Sequence, residues 1–460
     1  MQKVAQKASR RKKKYLSTKE AAQIVGVSPK TLRRWDSAGK LKAIRHPINH
    51  YRLYEESELI KQFSLGEASV AYKTYRTSYS DTPLRDFASI HPGTALESLN
   101  LNWREADLPE RERTKHVHRL HPYLGKFIPQ LVEVFLRKFA PKSVCDPFSG
   151  SGTTLVEANT LGMDSVGCDI SEFNCLIAKV KTDKYDIALL EKELKDIISR
   201  VNLAVGEGLF SNGEFETDNE YLRKWFAPAA RKGLLCYRSL IRNYQYQDAM
   251  KVILCRSARS ARLTTHFDLD FPKIPRKEPY YCYKHDRTCE PTKSALQFLN
   301  RYTFDTFERI KEFSSLRTTA KVQIICGDAR QLKFPEVDMV VTSPPYVGLI
   351  DYHEQHRYAY ELLGLRMQEQ QEIGAAFKGN SEKARKDYIE GIARVFDNLR
   401  PCLKKDGVAV IVANDKFRLY EELAPKIGYR FDQTITRHVN RRTGRRSTDF
   451  YEEILIWRPA

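Results

Sequence analysis

Apolar positions along the chain change rhythm several times, and each change marks an element. Tyr15-Leu16-Ser17-Thr18-Lys19-Glu20 opens a helix, with Ser17 as N-cap and Glu20 three residues on as its capping-box partner. Gly26-Val27-Ser28 reads as a turn. A second helix begins with Ser28 as N-cap and Pro29 at its first position, turning Thr31, Arg33 and Arg34 outward and Leu32 and Trp35 inward. From Leu41 to Tyr54 apolar and basic residues alternate around Asn49-His50, the pattern of a β-hairpin wing. This is helix-turn-helix grammar over residues 15–61, preceded by a basic arm at 1–14. Residues 62–115 are polar and weakly periodic and read as a connector.

A second pattern starts near residue 116. An amphipathic helix from Gln130 to Phe139 leads to a short buried strand ending at Cys145, then to Asp146-Pro147-Phe148-Ser149-Gly150-Ser151-Gly152-Thr153-Thr154 and a helix to Leu161. A strand from Asp164 to Cys168 ends in Asp169. The order is strand, glycine turn, helix, strand, acid. It resumes only at the strand Val322 to Cys326, followed by Gly327-Asp328, and at the strand Val337 to Val341, which runs into Thr342-Ser343-Pro344-Pro345-Tyr346. The gap of about 150 residues exceeds what one crossover helix needs, so residues 185–320 are expected to form an inserted domain between halves at 116–184 and 321–460. The last strands fall between Leu399 and Trp457, with an arginine-rich loop at 437–446.

Composition narrows the partner. The chain has 460 residues, with 77 Lys plus Arg against 58 Asp plus Glu, a formal charge of +19. The excess sits in blocks: Arg10 to Lys14, then Arg256, Arg259 and Arg262, then Arg437, Arg441, Arg442, Arg445 and Arg446. A polyanion is the natural partner for such blocks. No run approaches the ~18 apolar residues of a membrane helix, and the basic N-terminus has no apolar stretch behind it, so a cytoplasmic protein without a membrane partner is expected. Nine cysteines without framework spacing are expected to be mostly free thiols.

The chemistry follows from the turns. Gly150 and Gly152 let the backbone approach a ligand that side chains would hold off, the following helix N-terminus favours an anionic group, and Asp169 is placed to accept hydrogen bonds from ribose hydroxyls. The glycines do not have the G-x-G-x-x-G spacing of dinucleotide sites. Instead, the Asp146 to Thr154 segment resembles motif I of amino-group DNA methyltransferases, His121 to Pro129 resembles their motif X, and Ser343-Pro344-Pro345-Tyr346 their motif IV. Ser17 to Trp35 resembles the winged helix-turn-helix of the MerR and excisionase families, with residues 28–36 as recognition helix.

These resemblances imply an α/β fold: a class I S-adenosylmethionine-dependent methyltransferase with a Rossmann-like sheet, an inserted domain and an N-terminal winged helix-turn-helix. They imply that Lys126, Phe127, Asp146, Phe148, Gly150, Gly152, Thr153, Thr154, Asp169 and Asp328 surround S-adenosylmethionine. In motif IV, Ser343 Oγ and the Pro344 carbonyl would accept the two hydrogens of an exocyclic amine. Pro345 would help fix the backbone, and Tyr346 would stack on the flipped base.

The implied partner is double-stranded DNA, alongside a companion restriction endonuclease. Thr31, Arg33 and Arg34 would contact DNA from the recognition helix, Arg256, Arg259 and Arg262 from the insert, and Arg441, Arg442 and Arg445 from the late loop. Ser343 is the form more typical of N4-cytosine enzymes. N6-adenine methylation, RNA amine methylation and a transcription regulator with a methyltransferase-fold sensor remain open alternatives. Cytosine C5 chemistry is disfavoured, because Pro401-Cys402 does not follow a motif IV strand.

Methyl transfer to an amine requires no metal. A zinc set in the insert would be incomplete with Cys282, His285 and Cys289 alone, and Cys255 or His266 would have to be recruited.

Overall fold

The computed structural model describes residues 15–24, 29–37, 39, 41–46, 51–55, 82–206, 215–439 and 450–460. The chain divides into two units, Met1–Lys73 and Thr74–Ala460. The basic arm, the Gly26-Val27-Ser28 turn, Asn49-His50 and Arg441, Arg442, Arg445 and Arg446 lie outside the described residues, as does the side chain of Thr31.

In the first unit the strand β1 (Tyr15–Ser17) precedes helices Thr18–Ile24 and Pro29–Ser37, then β2 (Ile44–Arg45) and β3 (Arg52–Glu55), in the sheet order β1-β3-β2. The capping box is present: the Ser17 amide donates to Glu20 Oε2 at 2.8 Å, and the Glu20 amide donates to Ser17 Oγ at 3.4 Å. Leu16, Ala21, Ala22, Leu32, Leu41 and Tyr54 close a small core, with Trp35 against it. Asp36 fastens the second helix to the wing, accepting from Arg52 Nε at 2.5 Å and Arg45 Nη2 at 3.1 Å.

The second unit is built on seven strands. They are β4 (Ser143–Asp146), β5 (Asp164–Asp169), β8 (Val322–Cys326), β9 (Val337–Thr342), β10 (Leu403–Ala413), β11 (Tyr429–Val439) and β12 (Phe450–Pro459); a separate hairpin holds β6 (Tyr280–Cys282) and β7 (Arg287–Cys289). The order across the sheet is β11-β12-β10-β9-β4-β5-β8. Neighbours from β10 to β8 run parallel, whereas β12 pairs antiparallel with both β10 and β11.

Both faces of the sheet are covered, so its strands carry apolar residues on both sides. Val144, Met339, Val341, Val408 and Val410 face the helix Pro129–Phe139 through Leu131, Phe135 and Leu136. The alternate residues Cys145, Val340, Ala409 and Ile411 face the helix Glu382–Leu399 through Ile392, Val395 and Phe396. Side chains of a strand point alternately to opposite faces, which sorts each strand into these two cores.

The segment between β5 and β8 forms helices Ile187–Gly206, Glu220–Trp225, Pro228–Leu240, Gln247–Ala261 and Leu296–Ser314, besides the hairpin. These helices share one apolar core with Phe173, Ile177 and Val180 of the helix Glu172–Thr182 that follows β5. The described part of the connector is also structural: Ile90, Leu96, Leu99, Leu101, Trp103 and Leu108 are buried with Leu131 and Ile435. It follows 3-10 turns, one helical turn at Glu110–Arg113 and irregular backbone, which explains its lack of a sustained helical or strand period.

Candidate functional site

Strand order reverses between β4 and β9, and in open parallel sheets ligands settle at the C-terminal ends of strands around such a point. Asp146 ends β4 there. Its carboxylate is fully buried and accepts from Thr154 Oγ1 at 2.7 Å, Thr342 Oγ1 at 2.6 Å and the Phe148 amide at 3.1 Å. Burial pushes Asp146 up to about 6, with these donors opposing the rise. One side chain therefore ties β4, the following helix and β9 together.

The loop after β4 makes the rim of a pocket. Gly150 has φ +48°, and a Cβ there would stand 3.0 Å from Tyr123 Oη; Gly152 has φ +80°, and its Cβ would come within 2.9 Å of Ala178 Cβ. Both positions therefore require glycine, the first for a close approach and the second for packing. Asp169 at the end of β5 accepts from the Gly150 amide at 2.9 Å, the Ser171 amide at 2.9 Å and Asn174 Nδ2 at 3.0 Å. Burial raises its carboxyl, and these three donors offset part of the rise.

Lys126, Phe127, Phe148, Gly150, Thr153, Asp169, Asp328, Ser343 and Pro345 line this pocket together with Tyr123, Ser149, Ser151, Asn174, Tyr352 and Glu372. Ser149 Oγ, Ser151 Oγ and Asn174 Oδ1 are buried without a hydrogen-bond partner. Asp328 is clamped by Arg330, whose Nη2 reaches Oδ2 at 2.6 Å and Nε reaches Oδ1 at 2.9 Å. Burial works against its charge, but Arg330 keeps the carboxyl below its ordinary range. Burial also takes the Lys126 ammonium down to about 8, while it donates to the His118 carbonyl at 2.8 Å.

Ser343 follows β9 directly. Its Oγ is buried near Tyr346 and makes no hydrogen bond of good geometry. Tyr346 lies beside Phe450, at 6.3 Å between ring centroids, and donates to Glu452 Oε1 at 3.0 Å. Tyr123 and Tyr352 stack at 5.8 Å on another wall. His353 is fully buried, with Nδ1 bonded to Glu372 and Nε2 unpartnered. Asn174 and Glu372 were not singled out from sequence, whereas the stretch Asp351-Tyr352-His353 after Tyr346 is expected from sequence to line the base pocket. Tyr123 lies inside the His121 to Pro129 stretch and was open to detection, whereas Glu372 gave no local signal.

The structure corrects several site assignments. Asp146 and Thr154 do not reach the pocket; they bond to each other and to β9 behind its wall. Gly152, Pro344 and Tyr346 adjoin lining residues, Ser151 and Thr153 for the first and Ser343 and Pro345 for the other two. In the insert, Arg256 is buried, paired with Asp305 at 2.5 Å and stacked over the Tyr302 ring at 4.2 Å. Arg259 pairs with Asp270, and Arg262 is buried, donating to the Leu269 carbonyl at 2.6 Å and lying over the Tyr358 ring at 4.6 Å. These three arginines cement the insert and present no basic face. Arg437 is equally internal, paired with Glu452 at 2.8 Å. Arg33 and Arg34 are exposed on the helix Pro29–Ser37.

Among the described residues no helix is long and apolar enough to cross a membrane. Residues 17–54 match the MerR family regulatory protein profile. Over 430 residues the chain is 40% identical to the type II methyltransferase M.MjaII of Methanocaldococcus jannaschii, covering 76% of this chain and 81% of that one. It is 23% identical over 273 residues to the type II methyltransferase M.MvaI of Kocuria varians, covering 56% of this chain and 59% of that one. Against M.BsoBI of Geobacillus stearothermophilus, also a type II methyltransferase, identity is 24% over 354 residues, covering 66% of this chain and 64% of that one.

Proposed function

The chain belongs to the type II DNA methyltransferases, which draw their methyl group from S-adenosylmethionine, and from that premise we propose that it methylates N4 of cytosine in a base turned out of duplex DNA. The observation that carries this reading is Ser343 Oγ: a buried hydroxyl on the pocket wall, at the end of β9, with no close hydrogen-bond partner other than the neighbouring Tyr346.

The pocket fits the cofactor. Unpartnered Ser149 Oγ, Ser151 Oγ and Asn174 Oδ1 await polar groups, and Gly150 leaves its rim open where a Cβ would meet Tyr123. Asp169 would hold the ribose hydroxyls, Phe127 and Phe148 would pack on apolar parts of the cofactor, and Asp328 with Arg330 would border its adenine. S-adenosylmethionine, when bound there, supplies a methyl group activated by a sulfonium.

An amine conjugated to its ring is a weak nucleophile. Ser343 Oγ accepts one of its hydrogens and the Pro344 carbonyl the other, which turns the nitrogen lone pair toward the methyl group. Positioning of this kind supplies most of the rate in a direct in-line displacement. Tyr346, tied to Glu452 and beside Phe450, offers a ring for the base to stack on. The N-terminal helix Pro29–Ser37 would place Arg33 and Arg34 against DNA, and a companion endonuclease would share the target sequence.

Duplex DNA incubated with the purified protein and S-adenosylmethionine, then digested to nucleosides, tests the reading by mass spectrometry. N4-methylcytosine is expected. N6-methyladenine as the sole product would overturn the base assignment, and methylation of RNA alone would overturn the substrate.

A further inference from the structure

The hairpin of the insert gathers four metal-ligating side chains that the methyltransferase site does not use. Cys282 ends β6, Cys289 ends β7, and His285 sits in the tip between them, where Asp286 has φ +50°. His266, sixteen residues before Cys282, folds back onto the same point. Cys282 Sγ lies 3.4 Å from His266 Nδ1 and 3.8 Å from His285 Nδ1, and Cys289 Sγ lies 3.5 Å from His285 Nδ1. The four ligand atoms all fall within 4.8 Å of one another. Cys255 is buried within the helix Gln247–Ala261 and is not part of the group.

These separations have a simple meaning. Zinc bonds of about 2.3 Å to sulfur and about 2.0–2.1 Å to nitrogen, set at tetrahedral angles, hold ligand atoms roughly 3.3–3.8 Å apart. The three measured separations fall in that range. The two sulfurs are buried and the two imidazoles lie toward solvent, so one side of the position is dry and the other gives an ion access. Tyr280 Oη stands 3.3 Å from both the His266 amide and its Nδ1, fixing that loop beside the hairpin.

We propose that His266, Cys282, His285 and Cys289 bind one zinc ion in a closed, structural Cys2His2 site. The surrounding segment explains why a metal is needed. Between the helices Gln247–Ala261 and Leu296–Ser314 the only regular structure is the two three-residue strands, and Phe271, Ile274, Tyr281 and Tyr283 are exposed. So small an apolar content cannot hold a loop in one shape, and four bonds to a metal can. The other such grouping among the described residues, His116, His118 and Glu157, differs: Lys115 already occupies the same carboxylate at 2.8 Å.

The test uses the full chain purified without chelator. Elemental analysis by mass spectrometry is expected to find about one zinc per chain. Chelator-stripped protein given cobalt(II) is expected to show thiolate-to-cobalt absorption in the near ultraviolet and the visible bands of a tetrahedral ion. The paired substitutions Cys282→Ser and Cys289→Ser should abolish both signals, while Cys402→Ser keeps them. Should that double variant fail to fold, His285→Gln, at the exposed tip, is expected to lose its zinc to a chelator faster than the parent. Parent protein without zinc and without the cobalt bands, a Cys282–Cys289 disulfide in reduced preparations, or undiminished zinc in the double variant would each overturn the site.

Discussion

Thr342 and Ser343 are neighbours with opposite surroundings. Thr342 is fully buried and spends its hydroxyl on Asp146, whereas Ser343 ends on the pocket wall with no close hydroxyl partner other than the neighbouring Tyr346. The strand period separates them, sending one side chain behind the wall and the next to its surface. Ser343→Ala is therefore expected to lower turnover by on the order of tenfold to a thousandfold while cofactor affinity, measured by calorimetry, stays at the parent value. Turnover equal to that of the parent would remove Ser343 from the chemistry. At this scale the sequence was legible wherever a turn names its residues. Gly150, Asp169, Asp328 and Ser343, each named by such a turn, line one pocket. Asp146 and Thr154 share those motifs, yet a one-dimensional pattern does not distinguish a residue that faces a ligand from one that pins the wall behind it.

The helix Pro29–Ser37 was legible from its proline, its inward Leu32 and its outward arginines, and the structure shows Leu32 buried and Arg33 and Arg34 exposed. Replacing both arginines by alanine is expected to weaken duplex binding and flatten its salt dependence by roughly one unit of slope per lost phosphate contact. A parent-like salt slope would assign this helix another role. The helix Gln247–Ala261 carried an equally basic pattern and was misread. Spacing of three places Arg256 and Arg259 on one face, but it does not say what that face meets. Their partners Asp305 and Asp270 lie 49 and 11 residues further on, outside any local window. A basic stripe that finds its acids within the fold is a packing device.

In the whole molecule, acidity acts chiefly through buried histidines. Burial takes His116 and His356 down to about 3 and holds His118 and His121 well below the ordinary 6.5. The unfolded chain takes up protons at these groups below about 6.5, and the folded chain does not until far lower pH. Their neutral burial thus contributes stability that is lost as pH falls through 6.5. Asp146, raised to about 6, and Glu453, raised to about 7, work in the opposite direction, since the folded state protonates them first. Asp169, Asp183, Glu354 and Asp415 are raised by burial in the same sense but less far. Between pH 7.5 and 5.5 the four histidines outweigh Asp146 and Glu453, and each net proton is worth roughly 1.4 kcal/mol per pH unit. The denaturant midpoint is expected to be lower at pH 5.5 than at pH 7.5, and an equal or higher midpoint at pH 5.5 would contradict neutral burial of these rings.

The tie from Asp146 to Thr342 spans 196 residues of chain and so bears on the order of assembly during synthesis. At roughly 5–20 residues per second, β4 waits on the order of 10–40 s for β9 to be made. Through that interval its β9-facing edge is open to any passing strand. The helices between Ile187 and Ser314 are complete before β9 exists, and they pack on the helix that follows β5. The nascent half-sheet can thus own a finished apolar core while its central partner is still being translated.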